Sequence, residues 1–277
     1  MAKHISNIGT LCETYDYFII DIFGVLHDGI RPFKETLRTL QALKMSGKTL
    51  CLLSNSPRRA HNAAGQMETM GIARNLYDHI VTSGESTHDA LVGDNHEFGQ
   101  DCWFIGKYVV EEIVADIPDM RLHSGPEEAS FVLNAIPGTS PPEVADFKAK
   151  LQIALNKDLP MICANPDLVV HVGDHLYECA GTFAAMYEDI GGRVHYHGKP
   201  HAPVYERCYE LLGKPDKSSI CAIGDSLHTD IAGANNFGID SILNLAGIHR
   251  EELTADTLSH LNDQPHKPTY VVNGFVW

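Results

Sequence analysis

The sequence predicts an α/β protein with a parallel β-sheet and helices on both of its faces. Short β-rich apolar runs alternate with helical stretches along the chain, which is the pattern of βα units around such a sheet. Several of these apolar runs end in a polar residue. The middle of the chain carries strands and helices of its own, enough for a smaller α/β domain. We therefore expect a core domain with a second domain inserted into it.

The first elements form a series of alternating strands and helices. Residues 17–20 are β-rich, and Leu37, Leu40 and Leu43 recur at helical spacing before Gly47 interrupts the pattern. The elements predicted in this part are the strands 17–20, 49–53 and 80–82 and the helices 33–45 and 59–70. This series supplies the first part of the core sheet.

The middle of the chain repeats the alternation, and the last part returns to it. The middle elements are the strands 103–105, 131–133 and 161–164 and the helices 109–115 and 144–155. The last elements are the strands 194–196, 219–223, 241–245 and 270–273 and the helices 202–212 and 229–235. We therefore expect the core domain to comprise residues 1–88 and 179–277, with residues 89–178 as the inserted α/β domain.

The charge of the chain limits its partners. Its 277 residues contain 21 Lys and Arg against 36 Asp and Glu, a formal net charge of −15. Nucleic acids and anionic membranes are recognised mainly through Lys and Arg, so we expect neither as the main partner. A small phosphorylated metabolite remains compatible, because one metal ion or a few local cations can reverse the field inside a cleft.

The cysteines and the N-terminal residues predict a cytoplasmic protein. The seven cysteines show no Cys-x-x-Cys spacing, and several lie inside apolar runs, so a disulfide framework is not expected. A secretory signal has a basic stretch followed by an apolar run. Residues 1–15 do not show this pattern. No apolar run approaches the roughly 18 residues of a membrane helix.

Four predicted strands end in residues that could carry out chemistry. Asp21 follows the first strand, Ser54 and Asn55 follow the second, and Lys199 follows strand 194–196. Asp225 follows the strand 219–223, and Asp230 lies five residues further on. Ligands of parallel α/β sheets bind at the carboxyl ends of the strands.

Each of these residues also has a purely structural interpretation. An Asp or Ser at a strand end is commonly a turn or helix cap, and a lone Lys is commonly solvated. The combination is more informative than its parts. An Asp nucleophile, a Ser, a Lys and a late acidic pair, in this order, are what phosphoryl transfer through an aspartyl-phosphate requires.

Four sequence motifs resemble those of the haloacid dehalogenase superfamily of phosphohydrolases. They read DIFGVLHDG, LLSNSPRR, GKPHAPVY and GDSLHTDIAGA, and the resemblance extends over nearly the whole chain. The stretch ANPDLVVHVGD is similar to the Asn-Pro-Asp segment in the inserted cap of the class IIA branch. The resemblance implies a Rossmann-like core, an inserted α/β cap and Mg²⁺-dependent hydrolysis of small phosphomonoesters such as sugar, nucleotide or cofactor phosphates.

The resemblance also implies roles for individual residues. Asp21 would attack phosphorus, and Ser54 with the Asn55 backbone would bind phosphate oxygens. Lys199 would offset the charge that Asp21 and phosphate bring together. The metal ligands would be Asp21, the carbonyl of Phe23, and Asp225, with Asp230 orienting waters or Lys199. In the cap, Asn165 and Asp167 would contact the substrate. Caps of this kind often make dimer contacts, so a homodimer is one expected assembly.

Phe23 departs from the family pattern. The family has a second Asp two residues after the nucleophile, where it acts as general acid and base, and this chain has Phe23 there. Losing a positioned acid or base typically costs a factor of about 10²–10⁴ in rate. The alternatives are therefore a slow phosphatase and an impaired protein that binds a phosphorylated ligand or regulates through it. His27 and Asp28 follow closely and offer another proton source.

Overall fold

The computed structural model describes residues 2–92, 98–106, 108–136, 141–172, 175–247, 261 and 263–277. These residues form two compact units, which we name by chain order. The core unit comprises the described residues of 1–54, 64–81 and 199–277, and the inserted unit comprises those of 55–63 and 82–198. The described helices include none long and apolar enough to cross a membrane.

The strands and helices are numbered in chain order. The strands are β1 (Lys3–His4), β2 (Tyr17–Asp21), β3 (Thr49–Ser54), β4 (His79–Thr82), β5 (Asp101–Ile105), β6 (Arg121–His123), β7 (Phe131–Asn134), β8 (Met161–Cys163), β9 (Val169–Val172), β10 (His175–Glu178), β11 (Val194–Tyr196), β12 (Ile220–Gly224), β13 (Asp240–Asn244) and β14 (Tyr270–Val272). The α-helices are α1 (Thr36–Met45), α2 (Ala60–Thr69), α3 (Ser83–Val92), α4 (Pro141–Asn156), α5 (Ala180–Asp189), α6 (Ala202–Leu211) and α7 (Ala232–Phe237).

The core unit is organised around a sheet whose seven described strands lie in the order β1–β14–β13–β12–β2–β3–β4. The strand pairs from β1 to β3 are parallel. On one side of β2, Asp21 pairs with Leu53, and on the other Ile20 pairs with Ile223. This register brings the carboxyl ends of β2, β3 and β12 to one edge of the sheet.

Helices cover both faces of the core sheet, as the sequence predicts. Alternate residues of the central strand β2 point to opposite faces. Ile20 belongs to an apolar cluster with Leu40 and Leu43 of α1. Ile19 belongs to a separate cluster with Val204 of α6. Burial on both faces explains why this strand is an uninterrupted apolar run.

The inserted unit has a smaller parallel sheet of its own. Its described strands lie in the order β11–β8–β7–β5–β6, and their pairs are parallel. Val132 of β7 packs in one cluster with Phe183 of α5, and the neighbouring residue Phe131 packs in another with Ile113. An antiparallel hairpin of β9 and β10 completes the unit.

Most predicted strands and helices are present within a few residues, and the fold class is confirmed. One strand lies in a different sheet from the expected one. The sequence analysis places residues 194–196 in the core, but β11 pairs with β8 in the inserted unit. The units divide at 54/55, 63/64, 81/82 and 198/199, which differs from the boundaries expected at 88/89 and 178/179. Physically, α5 and β11 bury their apolar residues against the second sheet.

Several elements were not predicted, among them two helices of ten residues each. They are β1, β6, the β9–β10 hairpin, α3 and α5. The strands have two to four residues each, too few for a periodic pattern to stand out. The helix expected over 229–235 is divided into a π-helical turn, Leu227–Ile231, and α7.

Candidate active site

Three carboxylates of the core unit gather at the carboxyl edge of its sheet. Asp21 ends β2, Asp225 follows β12, and Asp230 lies in the π-helical turn after it. Each offers one oxygen within 4.8 Å of the others. All three are buried, with exposed fractions of 5%, 1% and 4%.

Lys199 is the cation of this cluster. Its Nζ donates to Oδ1 of Asp21 at 2.5 Å and to Oδ1 of Asp230 at 2.7 Å. Burial alone would lower the pKa of the Lys199 ammonium, but the carboxylates of Asp21 and Asp230 raise it well above its usual value. Lys199 therefore stays charged at neutral pH.

The carboxylates outnumber the cation. Taken by themselves, the three carboxylates and the Lys199 ammonium of the described residues carry a formal excess of two negative charges in a buried place. Burial raises the pKa of Asp21 well above its usual value, Lys199 opposes the rise, and Asp230 and Asp225 add to it. A divalent cation would offset this excess, and clustered carboxylate oxygens are the ligands that Mg²⁺ prefers. The residues present therefore fit a magnesium ion.

Glycines make room for the carboxylates. Gly24 has φ +100°, and a Cβ there would lie 2.3 Å from Oδ2 of Asp225. A Cβ at Gly247 would lie 2.1 Å from the same oxygen, and a Cβ at Gly224 would lie 2.1 Å from the Asp230 Cβ. These positions thus require glycine if the carboxylates are to keep their places. The steric requirement for glycine at Gly224 and Gly247 was missed from the sequence.

Phe23 lies two residues after Asp21 and packs on the loop that follows it. Its ring lies edge to face with the His27 imidazole, at a centroid distance of 5.9 Å. His27 Nδ1 accepts a hydrogen bond from the N–H of Gly29 at 2.9 Å, so this nitrogen carries no proton. Burial lowers the pKa of His27, against the opposing effect of Asp28. The imidazole is therefore neutral at neutral pH.

The remaining predicted site residues are divided between the two units. Ser54 ends β3 in the core unit, next to the register position of Asp21, and is 8% exposed. Asn55 begins the inserted unit, where its Nδ2 donates to Oδ1 of Asp167 at 2.7 Å. Asn165 lies beside them, since its Oδ1 accepts from the N–H of Asp167 at 3.1 Å. Of the two predicted substrate residues of the inserted unit, Asp167 thus contacts both Asn55 and Asn165.

Two further residues support these clusters and were missed from the sequence. The hydroxyl of Tyr205, buried on α6, donates to the backbone carbonyl of Asp230 at 3.2 Å. Ser226 N donates to Oδ2 of Asp230 at 3.2 Å. Together with Lys199 they determine the position of Asp230. Tyr205 lies on α6, six residues after Lys199, and this spacing carries no signal of its contact with Asp230.

Comparison with known proteins agrees with this architecture. A family described as haloacid dehalogenase-like hydrolase matches residues 18–117, and one described as HAD-hydrolase-like matches residues 196–276. A crystal structure of a haloacid dehalogenase-like hydrolase from Brucella suis 1330 is 32% identical, with a TM-score of 0.84 over 98% of this chain and 100% of that one. The chain therefore belongs to the haloacid dehalogenase-like hydrolases, in their class IIA branch.

Two further relatives are less similar, and they match over slightly less of the chain. The chain is 24% identical to the 5′-nucleotidase YutF of Bacillus subtilis, over 94% of this chain and 96% of that protein. It is 24% identical to the ribonucleotide monophosphatase NagD of Escherichia coli K12, over 91% of this chain and 94% of that protein. The alignments thus span both units of this chain.

Proposed function

We propose that the protein is a Mg²⁺-dependent phosphatase that hydrolyses small phosphomonoesters through an aspartyl-phosphate on Asp21. Family membership makes it a phosphoric monoester hydrolase, the class of relatives such as YutF and NagD. The observation that carries the finer proposal is the buried cluster of Asp21, Asp225 and Asp230 around Lys199.

Asp21 is the proposed nucleophile. Its Oδ1 is held by the Lys199 ammonium, so its carboxylate keeps one orientation. One carboxylate oxygen attacks phosphorus, and the bond from phosphorus to the leaving oxygen breaks as the new one forms. Water then attacks the phosphorus of the aspartyl-phosphate, which releases inorganic phosphate and regenerates the carboxylate.

Lys199 and the metal site would allow the Asp21 carboxylate and the phosphate of the substrate, which are both anions, to come together. Phosphate brings negative charge to a place that already holds three carboxylates. The Lys199 ammonium offsets part of this charge. Asp230 orients the ammonium, since its Oδ1 accepts from Nζ at 2.7 Å. Asp21, the Phe23 carbonyl and Asp225 would hold Mg²⁺, with Asp230 orienting its waters; when bound, the ion supplies charge neutralisation and orients the phosphoryl group.

Substrates whose leaving group needs no proton suit this site best. The Phe23 side chain has no ionisable group, and the neighbouring His27 is a neutral imidazole whose Nδ1 accepts from the Gly29 N–H. Aryl and acyl phosphates leave as stable anions and tolerate the loss of a general acid best. Sugar, nucleotide and cofactor phosphates are the wider substrate class, which includes the nucleotide substrates in the names of YutF and NagD.

The proposal is tested by p-nitrophenyl phosphate hydrolysis with Mg²⁺ in the wild type and Asp21→Asn. Removing a nucleophile is expected to reduce kcat by a factor on the order of 10⁴ or more. Asp16→Asn is the matched control, since Asp16 immediately precedes β2 at its opposite end and its side chain is 71% exposed. Full activity in Asp21→Asn contradicts the nucleophile assignment.

The second candidate is a protein that binds a phosphorylated ligand without turning it over. Phe23, at the position of the family's acid and base, is the observation that favours it. If the wild type hydrolyses none of a panel of aryl, sugar and nucleotide phosphates but binds one of them tightly, this function replaces the phosphatase.

A further inference from the structure

The Asn55 side chain is hydrogen-bonded at both ends inside the inserted unit. Its Nδ2 donates to Oδ1 of Asp167 at 2.7 Å, and its Oδ1 lies 3.5 Å from the hydroxyl of Ser83. Asn55 is 5% exposed and Ser83 is fully buried. The 2.7 Å contact to a carboxylate is the shorter of the two, and hydrogen bonds to charged acceptors are about twice as strong as neutral ones.

Asp167 is itself held firmly in place. Its N–H donates to Oδ1 of Asn165 at 3.1 Å, and its carbonyl accepts from the N–H of Gly181 at 3.1 Å. Gly181 lies in the first turn of α5, and a Cβ there would come within 2.2 Å of the Pro166 carbonyl oxygen. The backbone of Asp167 is thus bonded on both sides, so its carboxylate is a fixed acceptor for Asn55.

The backbone after Asn55 is held by a different element. The N–H of Gly84 donates to the carbonyl of Ser56 at 3.1 Å, and the Thr82 hydroxyl donates to the carbonyl of Arg58 at 2.6 Å. These bonds tie residues 56–58 to the start of α3. The side chain of Asn55, the first residue of the segment, is held by the bonds to Asp167 and Ser83.

We propose that Asp167 is a positioning residue for phosphate binding, which acts by holding the Asn55 side chain. The inference rests on the proposed function, which assigns phosphate oxygens to Ser54 and the backbone of Asn55. Fixing the side chain of Asn55 restricts the torsions of its backbone, so the segment is preorganised before phosphate arrives. The Asp167 carboxylate and phosphate are both negatively charged. Asp167 therefore favours phosphate binding through the strong hydrogen bond that it accepts from Asn55.

The experiment measures inorganic phosphate binding by calorimetry with Mg²⁺ present, and KM and kcat for p-nitrophenyl phosphate. The variants are Asp167→Ala, which removes the acceptor, and Asp167→Asn, which keeps a neutral one. Asp167→Ser replaces Asp167→Ala if the alanine variant does not fold, because its hydroxyl is too short to reach Asn55. Asp101→Ala is the matched control, since Asp101 of the same unit accepts from Arg121 and His123 instead.

Asp167→Ala is expected to weaken phosphate binding about tenfold and to raise KM more than it lowers kcat. Asp167→Asn is expected within about threefold of the wild type, because a neutral amide oxygen still accepts from Asn55. Asp101→Ala should match the wild type in both measurements.

Unchanged phosphate binding in Asp167→Ala overturns the inference. An equal loss in Asp167→Asn also overturns it, because the Asp167 charge would then act by a route other than the hydrogen bond from Asn55. If the wild type hydrolyses no ester, turnover in the proposed function fails, whereas the calorimetric comparison still decides the role of Asp167. If the wild type does not bind phosphate, both proposals fail.

Discussion

The ammonium of Lys199 lies 2.7 Å from a carboxylate oxygen of Asp230, 31 residues further along the chain. The same nitrogen lies 2.5 Å from Asp21, so one cation joins the carboxylate at the end of β2 to a carboxylate in the turn after β12. Removing one partner of a buried ion pair strongly destabilises the folded state, because the other charge stays buried without compensation. Lys199 therefore stabilises the folded core as well as the site.

Replacing Lys199 by Met is expected to lower the free energy of unfolding by about 3–5 kcal/mol at pH 7 without metal, because Asp21 and Asp230 lose their buried partner. Mg²⁺ should stabilise this variant more than the wild type, since removing a neighbouring cation strengthens metal binding. Urea denaturation with and without Mg²⁺ measures both effects.

Lys48→Met is the matched control for this substitution. Lys48 pairs with Asp16, whose side chain is 71% exposed, so Mg²⁺ should stabilise the control no more than the wild type. A Lys199→Met protein as stable as the wild type without metal would contradict the buried network.

Gly24→Ala is expected to disrupt the metal site. The backbone at Gly24 has φ +100°, and an added Cβ would lie 2.3 Å from Oδ2 of Asp225. Mg²⁺-dependent activity and the Mg²⁺-induced rise in Tm should both fall sharply. Gly71→Ala is the control, because Gly71 has φ +90° with nothing within 4 Å of an added Cβ, so it reports the backbone strain alone. Equal effects on Mg²⁺ response in both variants would rule out the steric explanation.

Glu85 is expected to make stability depend on acid pH. Burial would raise the pKa of Glu85, but hydrogen bonds from the Arg59 guanidinium and the Ala60 N–H hold it below its usual value. The folded state thus favours the carboxylate, and this stabilisation is complete above about pH 5 and is lost as the pH falls through the depressed pKa.

Glu85→Gln should therefore lower the free energy of unfolding by about 1–3 kcal/mol at pH 7 and flatten its decline in acid. Chemical denaturation between about pH 7 and pH 3 compares it with Glu68→Gln, an exposed residue of α2. An unaltered decline in Glu85→Gln would show that the interaction with Arg59 does not contribute.

Much of the core cluster could be predicted from the sequence. Asp21 and Asp225 each follow an apolar strand, and parallel strands of one sheet bring their carboxyl ends to one edge. Lys199 follows β11, which lies in the other sheet, so its place in the cluster followed from the family motif and not from the strand order. Asp230 could be predicted from its spacing of five residues after Asp225 and from the family motif. The structure brings Asp21, Asp225 and Asp230 together, as the strand order requires, and adds Lys199 to them.

The relations that escaped prediction are those between distant segments. The bond from Asn55 to Asp167 spans 112 residues, and neither residue carries a local sign of its partner. The three residues of β11 read as a strand but contain nothing that selects one sheet over the other. Steric needs such as those of Gly224 and Gly247 also depend on neighbours that only the folded chain supplies.

Phe23→Asp is expected to change which phosphates the protein hydrolyses. The substitution removes a ring that packs against His27, so the free energy of unfolding should fall by about 1–3 kcal/mol. It adds a carboxyl group two residues after Asp21, and the nearby carboxylates would keep its pKa high enough for it to donate a proton. Alkyl phosphates need that proton to leave, whereas aryl phosphates do not.

The ratio of kcat/KM for glycerol phosphate to that for p-nitrophenyl phosphate should therefore rise in Phe23→Asp, by up to about 10²-fold. Phe23→Asn is the matched control, because the side chain of asparagine has the same shape as that of aspartate but cannot donate an acidic proton. A similar rise in Phe23→Asn would mean that removing the aromatic ring, rather than supplying a proton, changed the selectivity. A ratio that stays at the wild-type value in Phe23→Asp would mean that leaving-group protonation does not limit hydrolysis at this site.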